Sequence, residues 1–193
     1  MSKSIRKAEA EEIFHSRQAY HGGSWAAHSQ NTALAAERIA DKIQLDSELA
    51  YCMGLLHDIG RSFTDGQFRH ITCGFAYMNT IGHPDIADIC LSHSFAVQDI
   101  YSYVGNMDIS KEEQKRFQEL LQKRKYTEYD KLIQLCDAVA VDTGFVLPEQ
   151  RFVGLSFRYG FNAFTIQKWK AVLRIKEEIN AKLRQDVNVF LNQ

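Results

Sequence analysis

The chain is short of proline, of net charge and of long apolar runs, and each shortage closes off a class of protein. Only 2 prolines occur in 193 residues, so little interrupts helical hydrogen bonding. The charges nearly cancel, 23 basic against 24 acidic residues for a formal charge of −1. A sequence-independent binder of nucleic-acid polymers needs a basic excess that is missing here. The longest apolar run, Leu49 to Leu56, is eight residues, whereas a membrane-spanning helix takes about 20. After Met1 the chain turns polar at once (Lys3, Arg6, Lys7, Glu9), unlike a secretion signal. The cysteines, Cys52, Cys73, Cys90 and Cys136, form no Cys-x-x-Cys pair. Three of them lie in apolar helical patterns, where a thiol behaves as a small hydrophobe, and this usage fits a reduced, cytoplasmic setting. No glycine-rich phosphate loop, dinucleotide fingerprint or G-x-S-x-G elbow is present.

What is present is helical periodicity throughout, and 193 residues make a single domain the expectation. Ile5, Ala8, Ile13 and Tyr20 predict a first helix over 3–20, broken by Gly22-Gly23. Ser24 is expected to cap a second over 25–43, with Ala27, Leu34, Ala35, Ile39 and Ile43 as its apolar stripe. Asp46 or Ser47 caps a third, 48–57, apolar nearly all round and therefore central, with Gly60 expected to end it. Further helices follow over 71–81, stopped by Gly82, and over 84–92, started by Pro84. Ser110-Lys111-Glu112-Glu113 is a capping box, and Thr127 caps the next helix. Residues 94–109 are the least patterned and read as a loop over a site, and 145–164 as an irregular aromatic stretch. Thr165 starts a long last helix to about Arg184. The expected fold is all-α, with seven or eight helices, a core over about 20–145, and accessory helices at 1–20 and 146–193.

The residues able to carry chemistry are histidines and aspartates in apolar helical context. His57-Asp58 ends the most apolar helix, His28 lies on the helix before it, and Asp137 sits in Leu135-Cys136-Asp137-Ala138-Val139. Buried carboxylates need partners, and Arg61 and, further along, Arg69 are the only cations near Asp58. A divalent metal would satisfy carboxylates and imidazoles together, and the carbonyl end of a helix favours a cation near His57. Spacing alone leaves this beside a plainer reading. A lone His on a helix is more often structural, Asp137 fits an ordinary hydrogen-bond acceptor, and the adjacent His57-Asp58 is not the i, i+4 pair of most helical metal sites.

His28, then His57-Asp58-Ile59-Gly60, then Asp137, at intervals of 29, 1 and 79 residues, resemble the HD superfamily of metal-dependent phosphohydrolases in its HDIG variant. The resemblance covers about residues 20–145. It implies an all-α fold in which His28, His57, Asp58 and Asp137 bind one divalent ion, Mn, Fe, Co, Ni or Zn, with Mg also admitted. His70 and His93 look like the additional ligands of members with two metals. Ser94 stands where many members carry another His, and Arg61 where the family often has Lys. The activity implied is hydrolysis of a phosphoester or phosphoanhydride in a small nucleotide-like substrate. Asp58 would be ligand and proton acceptor, Arg61 and Arg69 would neutralise phosphate oxygens, and His70 or His93 would protonate the leaving oxygen if only one ion is held. Arg17, Arg38 and Arg151 are lesser candidates for the phosphate. Two alternatives stand beside it: a nucleotide-binding sensor that keeps the metal without hydrolysis, and a helical scaffold whose His/Asp cluster is structural. Phe63, Phe68, Phe95, Tyr101, Phe145 and Phe157 are either base-stacking or packing residues.

Overall fold

The computed structural model describes residues 4–19 and 24–193, and these form ten α-helices with one two-residue β-ribbon. The break expected at Gly22-Gly23 and the end of the first helix at Tyr20 lie outside the described residues. Helices α1 (Lys7–Gln18), α2 (Trp25–Lys42), α3 (Ser47–Leu56), α4 (Arg69–Thr80) and α5 (Pro84–Ser92) are followed by α6 (Lys111–Lys123) and α7 (Glu128–Val139). The antiparallel ribbon β1 (Ala140–Val141) and β2 (Gly144–Phe145) leads into α8 (Pro148–Tyr159), α9 (Thr165–Leu183) and α10 (Val187–Leu191). Two 3-10 turns, Ile59–Ser62 and Ile100–Ser102, sit in the connections. The fold is all-α, and no helix among the described residues is long and apolar enough to cross a membrane.

Local chemistry explains most helix starts. Asp46 caps α3 by accepting from the Leu49 amide at 3.0 Å. Pro84 opens α5, where its missing N–H costs nothing. Ser110 with Glu113, and Thr127 with Asp130, form reciprocal capping boxes on α6 and α7. Gly82, at φ +88°, stops α4.

Tertiary packing overrode the expectations elsewhere. Ser24 makes no capping bond to α2. Leu34 is exposed, and the buried stripe of α2 runs instead through His28, Thr32, Ala35, Ile39 and their neighbours. Gly60 does not end α3, which stops at Leu56. It lies in the 3-10 turn, where a Cβ would fall 1.8 Å from the His70 carbonyl oxygen, so only glycine lets α4 approach this closely. The stretch 145–164 carries α8, whose single deeply inserted aromatic, Phe152, gives too weak a stripe for periodicity to register. Beyond Arg184, the short α10 adds Val187, Phe190 and Leu191 to the core.

One apolar core joins α1, α2, α3, α5, α7, α9 and α10, with Phe14, Ile39, Leu55, Leu56 and Ile133 fully enclosed. Burying such side chains stabilises by about 1.5–3 kcal/mol each. A second, smaller cluster (Phe68, Ile71, Phe95, Ile100, Phe117, Leu121) holds α4 and α6 against the 94–109 connection. All four cysteines are free thiols, three of them buried.

Candidate metal centre

Six side chains from five segments meet where α2, α3, α4, α5 and α7 converge. His57, His93 and Asp137 stand at or near the C-terminal ends of α3, α5 and α7, so three sets of terminal carbonyls turn their partial negative charge toward one point. His28 comes from the first turns of α2, Asp58 from the residue after His57, and His70 from the start of α4.

Each imidazole is fixed by its Nδ1–H, which donates to a backbone carbonyl. His28 uses Ala140 at 3.2 Å, His57 uses Gly54 at 2.7 Å, His93 uses Cys90 at 2.9 Å, and His70 uses Gln67. A carbonyl only accepts, so Nδ1 carries a proton in all four rings, and in the neutral imidazole Nε2 presents a lone pair to the centre. This is how ligating histidines are usually oriented.

Those lone pairs face carboxylates rather than donors. His28 Nε2 lies 3.0 Å from Asp137 Oδ1, and His70 and His93 Nε2 lie 3.1 and 3.5 Å from Asp58 Oδ1. His57 Nε2 is 3.9 Å from both Asp58 Oδ2 and Asp137 Oδ1. His28, His57 and His70 Nε2, together with Asp58 Oδ1, are buried without a hydrogen-bond partner. Acceptors crowded against acceptors in an apolar interior are costly unless a cation sits among them.

The donor set fits a divalent ion. The ligand atoms of His28, His57 and Asp137 lie within 4.8 Å of one another, as do those of His57, Asp58 and His93. The two groups share His57, and His70 joins the second through Asp58. Mixed imidazole and carboxylate donors suit Mn, Fe, Co, Ni or Zn. The four residues of the sequence motif therefore meet in one place, and His70 and His93 meet them there.

Charge states follow from the surroundings. Burial pushes His57 down, and His93 to about 3, so both are neutral near pH 7. Burial alone would raise the Asp58 carboxyl, but the Arg61 guanidinium outweighs it and holds it well below the ordinary range. Asp137 is likewise held low, against burial, with the Arg151 guanidinium 3.6 Å away acting in that direction.

A cavity of about 650 Å³ opens onto this cluster. His28, Asp58, His93 and Asp137 form part of its wall, with Ser94 and Tyr103 from the 94–109 connection beside them. Arg61 lines it while its Nε donates to Asp58 Oδ2 at 2.6 Å. Arg151 lines it 3.6 Å from Asp137 Oδ1.

Several expected roles do not survive this placement. Arg69 is not part of the wall; it binds the Asp108 carbonyl at 2.9 Å and pairs with Glu113, held there by α6. Arg17 stacks on Phe63, and Arg38 donates to the carbonyls of Phe190 and Leu191. His70 is absent from the cavity wall and aims its Nε2 at Asp58, so it does not face a leaving group in the cavity. Asp58, with one oxygen on Arg61 and its charged form strongly favoured, is a poor proton acceptor. Phe68 and Phe95 are core, Phe157 is 88% exposed, and none of the six candidate aromatics lines the cavity.

Sequence reasoning missed Lys168 and Trp169 on α9 and Arg158 on α8, all in the wall. For Lys168 a signal existed. It shares the buried stripe of α9 with Val172, Ile175 and Ile179, at helical spacing, where an apolar residue belongs.

No curated protein and no solved structure gives a significant match to this chain. The HD domain family model matches residues 25–142, more than half of the chain, from the first residue of α2 through the β1 strand that anchors His28. With the His/Asp centre assembled inside that span, the chain belongs to the HD domain family.

Proposed function

We propose that the protein is a metal-dependent phosphohydrolase acting on a small phosphorylated substrate of nucleotide type. The observation that carries this reading is the inward set of buried, unpartnered Nε2 and carboxylate atoms at the wall of a cavity whose other walls carry Arg61, Arg151 and Lys168. A site that binds cations on one side and anions on the other suits a metal together with a phosphate.

His28, His57 and Asp137 would hold one ion, and His57, Asp58, His93 and His70 the second site. Such an ion lowers the pKa of a bound water toward ~7 and polarises a phosphoryl oxygen. The chain's own residues supply the rest. Arg61, its Nε fixed on Asp58, offers its remaining N–H groups to non-bridging oxygens, and Arg151 does so from beside Asp137. Tyr103 is a fixed wall, because its hydroxyl donates to the Gln67 carbonyl at 2.8 Å. Trp25, Tyr159 and Trp169 bring aromatic surface to the cavity, which suits a base.

The test is turnover of nucleotides and dinucleotides with added Mn, Fe, Co, Ni or Mg. Hydrolysis is expected with at least one metal, and His57→Ala should lower it at least a hundredfold, since ligand support alone is worth about 10–100-fold. His57→Ala turnover equal to wild type sinks the reading. Tight nucleotide binding with no product in any metal would make the protein a sensor instead.

A further inference from the structure

Among the described residues, Lys168 makes neither an ion pair nor a side-chain hydrogen bond, although it lies half-buried in the cavity wall. The other unpaired lysines, Lys42, Lys115, Lys123, Lys125 and Lys170, are exposed to water. Lys7, Lys131, Lys176 and Lys182 each contact a carboxylate. An ammonium on the apolar stripe of a helix, without an anion, lacks the solvation it had in the unfolded chain. Burial accordingly pushes its pKa down to about 8, with Arg151 adding to the effect and Asp137 opposing it. It still carries its proton for most of the time at neutral pH, and no described carboxylate forms an ion pair with it, Asp137 acting only at longer range.

The other cations of the cavity are arranged differently. Arg61 and Arg151 sit against the ligand carboxylates, at 2.6 and 3.6 Å, and so flank the reacting centre. Arg158 is exposed at the mouth, beside the Tyr159 ring. Lys168 has neither position. With Arg151 and Arg158 it comes from α8 and α9, beyond the span matched by the family model. A phosphomonoester would be held at the centre by Arg61 and Arg151 and would leave Lys168 without an anion. A phosphate linked to the first one would supply it.

We propose that Lys168 binds a second phosphoryl group of the substrate, so that the protein selects compounds with two or more linked phosphates over phosphomonoesters. The inference rests on the phosphohydrolase reading for the place of the first phosphate, but its own test needs no turnover. Lys168 is a specificity residue: it holds the group next to the one attacked and takes no part in bond making.

Methylenediphosphonate and methylphosphonate, which are not hydrolysed, separate two phosphates from one. In calorimetry on the metal-loaded protein, wild type should bind the diphosphonate about tenfold tighter or more, as one charge-assisted contact provides. Lys168→Met, which keeps the apolar stripe of α9, should reduce that preference about tenfold, and Lys168→Arg should restore most of it. For a diphosphate substrate, Lys168→Met should raise KM with kcat within about twofold. An unchanged preference in Lys168→Met overturns the proposal. So does a fall in kcat with diphosphonate binding intact, which would make Lys168 a proton donor. Hydrolysis of monoesters alone, with no diphosphonate preference, removes this inference and leaves phosphohydrolysis standing. A Lys168-dependent preference in a protein that hydrolyses nothing does the reverse.

Discussion

The two ends of α7 each turn an aspartate inward, Asp130 fully buried and Asp137 half-buried, and the two are treated in opposite ways. At the N-terminal end, Asp130 is fully buried and every approach to it is a donor. Ser92 Oγ donates at 2.6 Å, Arg124 Nη2 at 2.7 Å, and the Thr127 amide and hydroxyl at 2.7 Å each. At the C-terminal end, seven residues on, Asp137 faces the lone pairs of His28 and His57, and nearby Asp58 Oδ1 has no donor at all. Burial of a carboxylate therefore does not mark a functional site by itself. Asp130 is a closed hydrogen-bond knot that fastens α5, the α6–α7 connection and α7. The other end is an arrangement whose acceptors are complete only with a cation.

The contrast can be broken most strongly at the closed end. Asp130→Ala leaves Arg124 without its inner partner and should cost about 3 kcal/mol, the lower range for a broken buried pair. Denaturant unfolding should show this loss with and without metal. Equal stability to wild type would mean that the knot contributes nothing. Asp137→Asn should act chiefly on the response to metal. Wild type should gain about 2.7 kcal/mol in metal at 100 times its dissociation constant, and the variant should gain little. A full metal-induced rise in Tm for Asp137→Asn would remove Asp137 from the ligand set.

Acid sharpens the comparison by the smallest increment. His57 and His93 have folded pKa values below the unfolded value, so the unfolded chain takes up protons near 6.5 while the folded chain does not until about 3 at His93. Stability of the metal-free protein should thus be level above pH 7 and fall below about 6.5, by about 1.4 kcal/mol per pH unit from His93, with His57 acting in the same direction. The depressed Asp58 and Asp137 add loss in the same direction as pH drops through their unfolded range near 4. Equal unfolding free energies at pH 7 and pH 5, in chelator, would contradict the placement of these rings.

Much of the helical frame was legible because its signals are local. Asp46, Pro84, Ser110 and Thr127 act on backbone groups within a turn of themselves, so their chemistry is the same in a sequence as in a fold. Ser24, an equally good capping residue on paper, makes no such bond. Helix α8 was invisible because it spends little apolar surface on the core, leaving Val153 and Phe157 outside. Gly60 reads as a helix terminator by type, whereas its need is steric, set by a carbonyl ten residues later. Arg69 reads as a phosphate ligand by proximity to His70, but successive helical side chains point in different directions, and Arg69 turns to α6.

The order and neighbours of His28, His57, Asp58 and Asp137 alone carried the family and the expectation of a cation, since a motif records which groups the chemistry requires. Which aspartate of α7 is closed and which is open, that His70 and His93 share Asp58, and that a lysine from α9 enters the cavity were decided by tertiary structure. These are relations between groups up to 112 residues apart in sequence, as with His28 and the Ala140 carbonyl. Coulomb forces and hydrogen bonds act over a few ångströms of space, whatever the separation along the chain.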